Sequence, residues 1–140
     1  MIDTLHASCV AWRGRGLLIL GASGAGKSAL ALALMAYGCA LVADDRVAVR
    51  RVGRALVAEP PPALAGLVEA RGIGLLRAPF RPRAALTLVL DLDRCETSRL
   101  PPRRLWRLHD VAVPLMFRPE PLNPAAALAA LKHGPPLDPD

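Results

Sequence analysis

The sequence predicts one α/β domain, and three observations carry that prediction. Short apolar runs recur at strand length: Leu17-Leu18-Ile19-Leu20, with no polar alternation, Leu41-Val42-Ala43, Ala84 to Leu92 and Val111 to Phe117. Such runs fit strands buried within a sheet. Between the first two lies Ser28 to Tyr37, a run of strong helix formers closed by Gly38 in the C′ position. Gly21 to Gly26 joins strand to helix as a glycine-rich turn.

The remaining elements follow in order. Residues 5–13 read as an extended segment broken by Gly14 and Gly16. Val47 to Val57 alternates loosely with arginines around Gly53, which predicts a hairpin. Pro60-Pro61-Pro62 is a breaker, and Arg71 to Leu76 is a glycine-marked turn or strand. The apolar strand from Ala84 ends at Asp91 and Asp93, read as a solvated strand end. Arg94 to His109 is polar and basic, with Pro101-Pro102 inside it, and reads as a solvated basic face. Ala125 to Lys132 predicts a short helix after Pro124, and residues 133–140 a frayed tail. No linker or repeat divides the chain, so residues 1–140 are read as a single domain.

Composition narrows the function classes. Hydrophobic residues make up 53%, enough for one core, and no apolar run reaches the ~20 residues that span a bilayer. The first residues lack the basic and apolar regions of a secretory signal, so a cytoplasmic protein is expected. The net charge is +6, and all but Lys27 and Lys132 of the basic residues are arginine. This suits polyanions, but aromatics are only 4%, too few for stacking on bases, and nucleic acid is not the expected partner. Cys9, Cys39 and Cys95 have no zinc-ligand spacing and are expected as reduced, mostly buried thiols.

The decisive stretch is Gly21-Ala22-Ser23-Gly24-Ala25-Gly26-Lys27-Ser28, which fits G-x-x-x-x-G-K-[ST] at every required position. The glycines let backbone N–H groups curl toward phosphate oxygens, and the helix start adds its positive dipole end. Lys27 supplies a point charge at the outer phosphates, and the Ser28 hydroxyl can ligate Mg²⁺. The expected ligands are therefore ATP and Mg²⁺. Asp44-Asp45 follow the second buried strand, 17 residues after Lys27. Phosphoryl transfer wants one carboxylate near the metal and one near the attacking oxygen. Both can face one site only where the strand ends and the chain turns.

With these residues in hand, the sequence resembles the catalytic domain of the HPr kinase/phosphorylase family. Val-Ala-Asp44-Asp45 carries the likeness, with His6 placed 15 residues before Gly21, and Glu69-Ala70-Arg71-Gly72-Ile73-Gly74 like the family's E-x-R-G-x-G signature. The short form is similar to those of α-proteobacteria. The resemblance implies a P-loop domain related to the phosphoenolpyruvate carboxykinase nucleotide domain, a mixed sheet with flanking helices. It implies an ATP-dependent serine kinase acting on the phosphocarrier protein HPr, often with the reverse phosphorolysis, in a homo-oligomer that is commonly a hexamer. It favours Asp44 as proton acceptor, with His6 and Arg71 catalytic, Glu69 orienting Arg71, and Asp45 beside Ser28 at the metal. The family's P-x-R-P-G-R-N segment is missing, its nearest counterpart being Val113 to Glu120, and Ala29 replaces the usual acid after Lys27-Ser28. A second reading is a nucleotide-gated sensor with weak catalysis; a third is a kinase of a small molecule.

Overall fold

The computed structural model describes residues 1–139. The last residue of the frayed tail expected from the sequence, Asp140, lies outside the described residues. Among the described residues eleven strands and two α-helices, with a short 3-10 turn at Pro62–Leu64, run in the order β1 (Ile2–Leu5), β2 (Ala7–Trp12), β3 (Arg15–Leu20), α1 (Lys27–Ala36), β4 (Ala40–Ala43), β5 (Val47–Val52) and β6 (Ala55–Glu59). There follow β7 (Leu67–Ala70), β8 (Gly74–Arg77), β9 (Ala84–Cys95), β10 (Arg104–Leu108), β11 (Val111–Arg118) and α2 (Pro124–His133).

Nine strands form one mixed sheet along the path β1-β5-β6-β9-β3-β2-β4, with β11 also pairing β9 and β10 pairing β11. The β3–β9 and β9–β11 pairs are parallel and the others antiparallel. β9 serves as the hub. Its first residues meet β6, its later ones meet β11, and β3 runs along its other edge. β7 and β8 make a separate hairpin.

Both helices pack on one face, where Leu30, Leu34, Leu128 and Leu131 cover Leu17, Ile19, Leu88 and Leu90. The other face has no helix. There the sheet curls on itself around Leu18, Val42, Val49, Leu56, Val89 and Val113. Strands β2 and β3 are thus covered on both faces, which is why their sequences run apolar without alternation. The mixed sheet and the α/β class agree with the expectation; the placing of both helices on one side refines it.

Gly16 does not break the chain as expected. It lies within β3, where a Cβ would come within 2.8 Å of the Ala85 carbonyl, so glycine permits the close approach to β9. The basic stretch is also corrected: it contains β10, whose alternate residues are half-buried against the curled core. The turn into β11 uses His109 and Asp110, both at positive φ, the backbone of a tight hairpin. His109, expected exposed, is largely covered, with Nε2 3.4 Å from Asp3 Oδ2.

Candidate phosphate site

The pairing registers bring three chain segments to one end of the sheet. Ala7 at the start of β2 lies opposite Leu20 at the end of β3, and Cys9 lies opposite Ala43 at the end of β4. His6, the loop after Leu20 and Asp44 therefore meet.

Residues 21–26 link β3 to α1, and Gly24 and Gly26 take positive φ of 86° and 101°, angles that side chains with a Cβ rarely adopt. Gly26 caps α1 without a side-chain hydrogen bond, and the helix has no acid in its first turn. Its first N–H groups are left to an anion. Lys27 opens the helix and is only 7% exposed, folded back so that Nζ donates to the carbonyls of Gly21 (2.7 Å) and Ala22 (3.0 Å).

The two aspartates have unequal surroundings. Asp44 is 4% exposed and accepts from Ser28 Oγ (2.8 and 2.9 Å), Ser8 Oγ (2.6 Å) and the Glu69 N–H (2.9 Å). At Asp45 the chain turns, with φ 68°, and Arg46 N–H donates to the Asp44 carbonyl. The Asp45 side chain is thereby thrown outward, 63% exposed, with Oδ1 3.4 Å from His6 Nε2. It is Asp44, not Asp45, that touches Ser28.

Hydroxyl and carboxylate oxygens at Ser28 and Asp44 suit a hard divalent cation. Among the described residues no three His, Cys, Asp or Glu side chains form a metal cluster.

Arg71 lies apart, exposed in the β7–β8 turn, with no hydrogen bond or ion pair among the described residues. Glu69 makes no ion pair with it; what it supplies is its backbone N–H to Asp44. Three residues join the site beyond those expected. Ser8, fully buried, stands out only as a hydroxyl within an apolar strand. The Asp93 carboxylate accepts from the Ala22 N–H at 3.0 and 2.9 Å, so this strand end is a loop anchor rather than merely solvated. Arg118 Nη1 donates to the Ala25 carbonyl at 3.1 Å, steadying the other limb of the loop.

Comparison with known proteins accords with this geometry. Residues 2–99 match the family described as the HPr Serine kinase C-terminal domain. The chain is 38% identical over 106 residues to an HPr kinase/phosphorylase of Shouchella clausii, covering 70% of this chain and 34% of that protein. It is 32% identical to another from an Exiguobacterium species, covering 93% of this chain and 45% of that one. It thus spans less than half the length of these relatives. The solved structure of the Hpr(Ser) kinase/phosphatase from Coxiella burnetii superposes with a TM-score of 0.74 at 25% identity, covering 84% of this chain and 85% of that one. With the loop, the paired aspartates and most of its length matched, the chain belongs to the HPr serine kinase C-terminal domain family.

Proposed function

We propose that the chain transfers the terminal phosphoryl group of ATP to a serine hydroxyl of HPr, and that the two aspartates act in the reverse of the order expected from the sequence. The observation that carries this is the contrast between a sealed Asp44 on Ser28 and an exposed Asp45 beside His6. A carboxylate that is 4% exposed and turned toward Ser8 and Ser28 is withdrawn from a hydroxyl presented by another protein; one at the rim can meet it. Asp45 accepts the serine proton, and His6 holds its carboxylate in place. Lys27 and the loop N–H groups bind and orient the phosphates. Ser28 and Asp44 would hold Mg²⁺, whose charge offsets that of the phosphate oxygens when bound. Arg71, exposed and without a partner among the described residues, contacts the incoming substrate with its forked donors.

The relatives' names and the loop support this reading. The family resemblance extends it to kinship with the phosphoenolpyruvate carboxykinase nucleotide domain, a cytoplasmic setting and a homo-oligomer, commonly hexameric. The test is incubation with HPr and γ-labelled ATP. Label on a serine is the expected result. Tight ATP binding without transfer points instead to a nucleotide-gated sensor. Phosphoserine-HPr with inorganic phosphate should release pyrophosphate more slowly than the forward reaction runs, since the P-G-R-N segment is missing.

A further inference from the structure

We propose that the apolar cavity between β11, α2 and the segment after it is a binding site for a small organic acid, separate from the phosphate site. The acid buries an apolar body and leaves its anionic head at the rim. The cavity is about 310 Å³, with Leu90, Pro114, Met116, Leu122, Ala126 and Ala130 among its walls. That volume falls within the roughly 300–1,000 Å³ of small-molecule sites. A dry apolar cavity of about 150 Å³ takes one benzene ring, so this one takes a body of roughly ten carbons.

The borders are stiff. Two proline pairs line the cavity, Pro101-Pro102 and Pro135-Pro136. Gly134, at φ 107°, turns the chain at the end of α2 and brings the second pair and Leu137 back to the cavity. Proline fixes φ, so these borders lose little freedom when a ligand settles against them. No residue of the phosphate loop lines the cavity, so its occupant is independent of the nucleotide.

The polar groups at the rim set the sign of the ligand. Glu96 is the only acid in the lining among the described residues, and its carboxylate is committed to Arg104 and to the N–H groups of Thr97 and Ser98. Asn123 Oδ1 accepts from the Ala126 N–H. What is left over donates. Arg99 and Arg103, either side of Pro101-Pro102, are exposed and have no ion pair among the described residues. The Ser98 hydroxyl and the Asn123 amide nitrogen stand beside them in the lining. Two uncompensated guanidiniums next to an apolar interior suit a ligand with one anionic end, whose oxygens match the arginine fork. An amine would meet like charge and find no free carboxylate.

The experiment is calorimetry on the full chain with decanoate, octanoate and decylamine. Decanoate should bind, octanoate about tenfold more weakly for its two missing methylenes, and decylamine not at all. Arg99→Glu combined with Arg103→Glu leaves the apolar walls intact. It should weaken decanoate about tenfold or more and admit decylamine. Ala126→Trp, which fills the cavity from an exposed helix position, should abolish decanoate binding. Ala130→Leu is the second variant should Ala126→Trp lose its circular dichroism spectrum. Lys27→Ala should leave decanoate binding unchanged. The proposal is overturned if the wild type does not bind decanoate, or binds octanoate or decylamine as tightly. Insensitivity to the cavity or the rim variants overturns it too. Loss of decanoate binding in Lys27→Ala would place the acid at the phosphate loop instead.

Discussion

Neighbouring carboxylates at Asp44 and Asp45 should fail in different ways. Asp45→Asn should keep Mg·ATP affinity and lose turnover by about 10²–10⁴-fold, the usual contribution of a general base. Asp44→Asn should weaken Mg²⁺ dependence and nucleotide binding together, with partial rescue by excess Mg²⁺. It should also cost about 1–3 kcal/mol of stability, because an amide nitrogen cannot accept from Ser8, Ser28 and the Glu69 N–H as a carboxylate oxygen does. Turnover against Mg²⁺ concentration, with urea unfolding alongside, checks both; rescue of Asp45→Asn by Mg²⁺ would restore the order expected from the sequence. The loop and the aspartate pair stood out in the sequence because binding phosphate demands particular residue types at fixed local spacing, whereas His6 stood out only through the family resemblance. The order of the two aspartates did not. Which of two adjacent carboxylates is sealed depends on the turn at residues 44–46 and on Ser8 and Glu69, both distant in sequence.

Strands with apolar sequence on both faces were legible for the same local reason, since only a covered strand tolerates a run such as Leu17 to Leu20. β10 was not. Its two arginines, in a stretch of prolines and charges, resemble a solvated segment, and the partner that makes it a strand, β11, closes through a His109-Asp110 turn without the usual Asn-Gly signal. The contact between β3 and β9 offers a sharper test at this scale. Gly16→Ala places a methyl against the Ala85 carbonyl and should destabilise by about 1–3 kcal/mol. Gly14→Ala, in open space two residues earlier, should stay within about ±0.5 kcal/mol. Denaturant midpoints of the two variants decide it.

The molecule's stability as a whole should carry the mark of Glu96, which joins the end of β9 to β10 through Arg104. Burial pushes its carboxyl up, but the Ser98 N–H, Arg104 and the Thr97 N–H outweigh that and hold it below its ordinary value near 4.5. A depressed carboxylate contributes stability that is fully present above the ordinary value and lost as pH falls through the lower folded one. The stability advantage of the wild type over Glu96→Gln should therefore shrink as pH is lowered from about 5 to about 3, read from urea unfolding at each pH. An advantage that stays constant across that range would show that the charge of Glu96 is not what joins the two strands.

β9 as hub has a consequence for the order in which the protein matures on the ribosome. The phosphate loop is written at residues 21–28, yet β3, which presents it, finds its parallel partner only at residues 84–95; of the groups that steady the loop, Asp93 lies near the end of that strand and Arg118 comes later still. Pairings so distant in sequence form slowly and late. A nascent chain that ends before β9 holds the complete nucleotide motif without the scaffold that shapes it. Competence to bind nucleotide therefore arrives in one step, when the second half of the chain emerges, rather than with the motif.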